Sequence, residues 1–330
     1  MKYYYAPMEG ITDATFRRLH HKYFPGVDRY FMPFLSPTIH RQLTPREERE
    51  LPKADSLSFT AVPQLLGKNV EDMLWAIEVC ADQGYDEVNI NLGCPSGTVV
   101  SKGKGSGMLA DLYALDAFLE AIYAKSCLPV SLKTRIGVND SENWEKILEI
   151  YRDYPVKELT VHPRIRKAFY KGDCDLEAFT QAVENSPFPV CYNGNVNSLE
   201  EAEKIAARFP TVGSIMIGRG LVADPGMLCG GTDRETLKAF LTELSDTYCA
   251  VFESKRNAIY RMKDNWHYLI SLFEGSDKLW KELRKCTDYD RFMAIANQII
   301  TTLPMRPTLK STGKEKSPCP KSNSIPMPKS

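Results

Sequence analysis

Eight short apolar, β-rich runs recur along the first 230 residues, each followed by a stretch with helical periodicity or a loop. This alternation constrains the fold more than any other feature of the chain. The runs are residues 3–6, 30–33, 61–65, 86–90, 129–134, 158–161, 189–193 and 214–217. Between them, residues 70–83 place Val70, Met73, Leu74, Ile77 and Ala81 on one helical face, and residues 112–124 repeat leucine at helical spacing. Asn197 or Ser198 is placed to cap a helix whose first turn holds Glu200 and Glu201. Eight strand–helix units of this spacing predict a (β/α)8 TIM barrel, and periodicity alone also admits a doubly wound open sheet.

The alternation stops after Asp224-Pro225-Gly226. Residues 231–303 then show helical spacing only, with Phe240, Leu241, Leu244, Tyr248, Phe252, Ile259, Met262, Trp266, Leu269 and Leu272 as the candidate core of a helical bundle. Residues 304–330 are rich in Pro, Ser, Thr and Lys, with six basic residues against one acidic, and are expected to form a disordered basic tail. The expected domains are therefore 1–230, 231–303 and the tail.

Lys and Arg balance Asp and Glu at 42 each, so a nucleic-acid partner would have to meet a local basic surface and not the field of the whole molecule. Nine cysteines spread from Cys80 to Cys319 without a C-x-x-C pair suggest neither a zinc site nor a disulfide framework. With no apolar run of membrane-spanning length and no leader pattern, the expectation is a cytoplasmic protein without a membrane or an obligate protein partner.

In a barrel the chemistry gathers where the strands end. The fourth run leads into Asn91-Leu92-Gly93-Cys94-Pro95, a lone thiol opening a segment with glycines at 97, 103, 105 and 107. An unperturbed thiol is mostly protonated at neutral pH and can donate a proton to a carbanion beside it. The seventh and eighth runs end in Asn193-Gly194-Asn195 and Gly218-Arg219-Gly220, where backbone N–H groups and a guanidinium can converge on a phosphate; each cluster taken alone reads equally as a tight turn. Gln64, Lys133, Arg135, His162 and Arg164 stand at the ends of other runs and complete one polar mouth.

In order and spacing these motifs resemble the tRNA-dihydrouridine synthases. The resemblance runs through Ala6-Pro7-Met8-Glu9-Gly10, Gln64-Leu65-Leu66-Gly67, the Cys94 segment, Leu132-Lys133-Thr134-Arg135, His162-Pro163-Arg164, Asn193-Gly194-Asn195 and Gly218-Arg219-Gly220. It implies an FMN-containing barrel, a helical domain that helps hold tRNA, and NADPH as reductant. Carried over residue by residue, it implies that Pro7 and Met8 border the flavin, that Gln64 and Lys133 meet its polar edge, and that His162 lies beside it. Asn193, Gly194, Asn195, Gly218 and Arg219 would take the phosphate, and Cys94 would be the proton donor. Asn91 would face the uracil, with Arg135 and Arg164 also expected on the substrate side. The pattern departs from the family at Glu9, Pro163 and Asn195, and proline at 163 removes a backbone donor. Lys255, Arg256, Arg261 and Lys263 around Tyr260 are a candidate RNA surface, equally readable as a solvated helix face. Two other functions fit parts of this pattern: an FMN oxidoreductase of a free pyrimidine, similar to dihydroorotate dehydrogenases, and a noncatalytic tRNA-binding protein.

Overall fold

Parallel pairing of nine strand segments closes a barrel in the computed structural model, which describes residues 1–306. The segments are β1 (Lys2–Tyr5), β2 (Arg29–Phe31), β3 (Ala61–Val62), β4 (Gln64–Leu65), β5 (Val88–Leu92), β6 (Val130–Arg135), β7 (Leu159–His162), β8 (Val190–Asn193) and β9 (Ser214–Ile217). They run in the order β3-β2-β1-β9-β8-β7-β6-β5-β4. The two ends of that order, β3 and β4, are halves of one stave that the sequence pattern presents as continuous. Pro63 lacks an N–H and interrupts the ladder, yet its carbonyl accepts from the Asn89 amide at 2.8 Å while the Val62 carbonyl accepts from Met32 at 2.9 Å. The stave bonds on both sides, so the sheet has eight staves and no open edge; the doubly wound alternative is overturned.

The staves alternate with α1 (Ala14–Tyr23), α2 (Pro45–Glu50), α3 (Val70–Asp82), the short α4 (Gly97–Val100), α5 (Leu112–Lys125), α6 (Trp144–Arg152), α7 (Leu176–Asn185), α8 (Leu199–Arg208) and α9 (Arg219–Ala223). Ser198 caps α8, accepting from the Glu201 amide at 3.2 Å. Along each strand the side chains divide by period two. Val88, Ile90, Val130, Leu132, Leu159, Val161, Ile215 and Ile217 bury in the apolar layer shared with the helices. A separate small cluster of Tyr4, Ala6, Phe31, Val62, Cys191 and Met216 lies apart from it, and the polar Glu87, Asn89, Ser131, Glu158 and Ser214 hydrogen-bond to one another's side chains or to Tyr4, on the barrel's inner face.

Beyond the barrel the chain is helical as its spacing predicts: α10 (Arg234–Phe252), α11 (Lys255–Leu269), α12 (Asp277–Lys285) and α13 (Tyr289–Thr302). The candidate core residues bury, among them Phe240, Tyr248 and Trp266. Helix α10 packs on α1 through aromatic edges, Phe240 standing 5.7 Å from Phe16 and 5.3 Å from Phe24, centroid to centroid. Of the expected tail, Pro304 to Arg306 are paired: Glu274 donates to the Pro304 carbonyl and Arg306 to that of Leu272. The expectation of disorder for 307–330 lies outside the described residues.

Asp13 fastens the two parts together. Its Oδ1 accepts from the Phe16 amide at 2.9 Å, capping α1, and from the Tyr248 hydroxyl of α10 at 3.1 Å. Burial, with Glu50 adding, pushes its carboxyl up to about 6. Asp13→Ala should therefore cost about 2 kcal/mol in urea unfolding, one cap plus one buried hydrogen bond. Asp13→Asn keeps an acceptor oxygen and should recover most of that loss. Because the folded carboxyl binds its proton more tightly than the unfolded one, wild type should gain stability over Asp13→Asn as pH falls from about 6 toward 4.

Candidate functional site

Every strand that carries a predicted site residue delivers it to the same end of the barrel, because the strands are parallel and their C-terminal tips share one rim. Register sets the neighbours: Asn91 pairs with Lys133, and Arg135 with His162. A cleft of about 280 Å³ opens there. It is lined by Pro7, Met8, Gln64, Asn91, Cys94, Lys133, Arg135, His162, Asn193, Gly194, Gly218 and Arg219. Arg164 and Asn195 do not line it. Arg164 stands behind His162, donating to its Nε2 at 2.8 Å and to the Gly172 carbonyl at 2.6 Å, and Asn195 accepts from Arg219 at 3.1 Å.

The cleft is built for an anion. Lys133 donates to Asn193 Oδ1 at 2.7 Å, and the Asn193 amide in turn donates to the Met216 carbonyl at 2.8 Å, so the ammonium is held in place. Burial pulls Lys133 down to about 8, with Arg135 adding like-charge repulsion. His162 lies well below the ordinary imidazole value, chiefly through burial and then through Arg135, Lys133, Arg164 and Arg219. A guanidinium has only donors, so its bond to His162 makes Nε2 the acceptor and leaves the ring proton on Nδ1. Glu9 is the one carboxylate lining the cleft, and it pairs with Arg46. At Gly218 no Cβ intrudes on the strand tip; one added there would lie 3.3 Å from the Met8 sulfur.

Cys94 is held by its backbone. Asn91 Oδ1 accepts from the Gly93 and Cys94 amides at 3.0 and 2.8 Å, and the Cys94 carbonyl accepts from the Ser106 hydroxyl at 2.8 Å. The glycine-rich segment is a folded one, with α4 and a 3-10 turn over Gly105–Ala110. Gly105 has φ +57°, and a Cβ on it would stand 3.0 Å from that of Cys94. Burial raises the thiol above its ordinary value, against the opposing pull of a backbone hydrogen bond from Ser96 and of Arg135 and Lys133. The thiol keeps its proton at neutral pH.

Two aromatic residues at this mouth escape sequence reasoning. Tyr170 stacks on His162 at 6.0 Å, with the Arg135 and Arg219 guanidinium carbons 5.5 and 5.0 Å from its ring centroid. It lies in an irregular loop next to Phe169, whose φ is +51°. Tyr268 reaches the cleft from α11, so the helical region contributes to the site. On the candidate RNA surface, Arg256 and Lys263 flank exposed Tyr260 at 5.9 and 5.7 Å. Arg261 turns inward instead, donating to the Gly10 carbonyl at 2.6 Å and lying 4.0 Å from Asp13. Among the described residues no cluster of metal ligands occurs and no helix is long and apolar enough to cross a membrane.

A family model described as dihydrouridine synthase (Dus) matches residues 4–304. The tRNA-dihydrouridine synthase B of Pasteurella multocida is 29% identical over 221 residues, 67% of this chain and 65% of its own. That of Shewanella oneidensis is 30% identical over 221 residues, 67% of each chain. The chain thus spans about two thirds of the length of the curated relatives it matches. Among solved structures, the old yellow enzyme from Trypanosoma cruzi aligns with a TM-score of 0.49 and 10% identity, over 69% of this chain and 86% of that one.

Burial of a cation in the cleft, with Arg135 beside it, has a measurable consequence. Lys133 is less basic folded than unfolded, so its charge opposes folding at pH 7, fully so below about 8 and progressively less toward 10.5. Lys133→Met should raise the unfolding midpoint of the ligand-free protein at pH 7, and the gain should shrink on titration through that window. An unchanged or lowered midpoint at pH 7 would show that the cleft does not strain this lysine.

Proposed function

Because this chain belongs to the dihydrouridine synthase family, we propose that it reduces the C5–C6 double bond of selected uridines in tRNA, with FMN held in the cleft and NADPH as the reductant. The observation that carries this reading is the meeting, in one cleft, of a protonated thiol and a cation-rich rim with no unpaired carboxylate. The rim fits a phosphorylated cofactor: Arg219, Asn193, Gly194 and Gly218 offer a guanidinium and open backbone to a phosphate. Lys133 suits the polar edge of a ring that becomes anionic on reduction, and Gln64 offers that edge a donor and an acceptor together. Pro7, Met8 and neutral His162 supply uncharged walls. When bound, FMN supplies the hydride that uracil C6 receives, after NADPH has reduced it.

Cys94 completes the addition by giving its proton to C5, so hydride and proton together account for the two hydrogens gained. The resulting thiolate, close to Lys133 and Arg135, recovers a proton from solvent. Asn91 holds the amides of Gly93 and Cys94, and so aims the sulfur into the cleft. Turning the base out of its stack costs a few kcal/mol, which binding of the tRNA body must offset. Tyr268 brings the helical region to the rim of the cleft, an arrangement that a free pyrimidine would not need. The paired Arg256, Tyr260 and Lys263 offer an outer contact for phosphate and base. We place the enzyme, which needs no protein partner in this reading, in the cytoplasm, where tRNA and NADPH meet.

Purified protein should be yellow, and Cys94→Ala should retain both the flavin band and its bleaching by NADPH. Dihydrouridine formation in unmodified tRNA should fall by 10²- to 10⁴-fold, the usual worth of a positioned general acid. Wild-type rates in Cys94→Ala would remove the proton-donor role, and a colourless, flavin-free wild type would remove the reading as a whole.

A further inference from the structure

Alternate residues of one strand face the barrel interior, so Glu87, just before β5, and Asn89 and Asn91 within it form a column about 13 Å from first to last. A relay of side-chain hydrogen bonds follows that column. Asn91 Nδ2 donates to Gln64 Oε1 at 2.8 Å, and Gln64 Nε2 donates to Asn89 Oδ1 at 2.7 Å. Asn89 Nδ2 donates to Ser131 Oγ at 3.0 Å, and the Ser131 hydroxyl donates to Glu87 Oε1 at 2.7 Å. All five residues are buried.

Both ends of the relay are chemically unambiguous. At the cleft, Asn91 Oδ1 receives two backbone N–H groups, which can only donate. At the far end the Glu87 carboxylate can only accept, and its second oxygen is held by Arg29 at 3.1 Å and Lys157 at 2.8 Å. A carboxamide has an oxygen on one side and a nitrogen on the other, so fixing the ends fixes every amide between them. Reversing any one would set two donors or two acceptors face to face where water cannot intervene.

We propose that Asn89, Ser131 and Glu87 are positioning residues that set the direction of the Gln64 carboxamide. Each Gln64 atom spends one bond on the relay, which leaves one N–H and one lone pair in a fixed order for the cleft. The inference rests on the reading above, in which Gln64 meets the donor and acceptor edge of FMN. A ring edge whose donor and acceptor stand in one order recognises only one of the two amide orientations. The carboxylate at the closed end of the barrel thereby takes part in ligand recognition at the open end.

The test uses variants that leave every cleft residue unchanged. In Glu87→Gln, Arg29 and Lys157 claim the one remaining oxygen, and the new NH2 is turned toward Ser131. Ser131→Ala removes the link itself. Each variant should weaken FMN binding to the flavin-stripped protein about tenfold and shift the visible band of the bound flavin, with near-UV circular dichroism unchanged. Ser131→Cys, which restores a weak donor, should recover part of the affinity. Wild-type FMN affinity in a folded Glu87→Gln and Ser131→Ala would overturn the proposal. Should neither fold, side-chain amide exchange in the flavin-free wild type decides by NMR: protected Gln64 and Asn91 protons support the relay, and exchange at the rate of solvent-exposed amides overturns it. A wild type that binds no FMN but shows protected amides would sink the functional reading and leave the relay standing.

Discussion

Closure of the parallel sheet is the constraint on which the rest of the structure depends. A closed barrel has two faces only, and period-two alternation sends each side chain to one of them. In this chain the outward set is almost wholly aliphatic or aromatic and packs under the helices. The inward set is largely polar toward the mouth, with Asn91, Lys133, His162 and Asn193 at successive strand tips. The outward layer supplies the hydrophobic stabilisation, which frees the inner face to hold amides, hydroxyls and charges that would be costly in a single-layer core. Pro63 shows how far this holds: it removes one ladder bond, and the carbonyls around it keep the stave in register.

The helical region is tied to the barrel at the segment that carries Pro7 and Met8. Arg261 of α11 bonds the Gly10 carbonyl, Tyr248 of α10 bonds Asp13, and Arg17 of α1 holds the Thr12 carbonyl and Glu50. The turn after β1 is thus gripped from the barrel and from the helical region alike. A residue that reads in the sequence as part of a basic surface, Arg261, is spent on this joint; Arg256, one turn before Tyr260, remains exposed to solvent, and Lys263, one turn after it, is half-buried. The same helix brings Tyr268 to the cleft, so its position bears on the site itself.

Much of this was legible in the sequence because it rests on short-range chemistry. Strand alternation and strand-end polarity follow from local pattern, and eight runs place Gln64, Cys94, Lys133, His162, Asn193 and Arg219 on one rim once the sheet closes. Local pattern says nothing about loops whose conformation is set by tertiary contacts. Tyr170 sits in such a loop, beside a residue at positive φ, and becomes part of the site only through the two guanidinium groups it packs against. The acceptors of Arg164 and Arg261 are hidden for a related reason: a guanidinium reads as a surface or ligand group until the carbonyls that claim it are known. The folded state of the segment from Gly97 to Ala110 was hidden by its glycines, of which Gly105 packs closely beside Cys94.

One physical agent, removal from water, acts on two titratable groups of the cleft in opposite directions. Burial disfavours the charged form of any group, so it raises Cys94 and lowers Lys133. For the thiol this keeps the proton in place, and the neighbouring Arg135 and Lys133 oppose the shift. For the lysine it makes the charge costly until an anion arrives. Arg135 adds repulsion to that cost, while burial and the surrounding cations keep His162 neutral. The same removal from water thus leaves a protonated thiol and a costly cation side by side in one cleft.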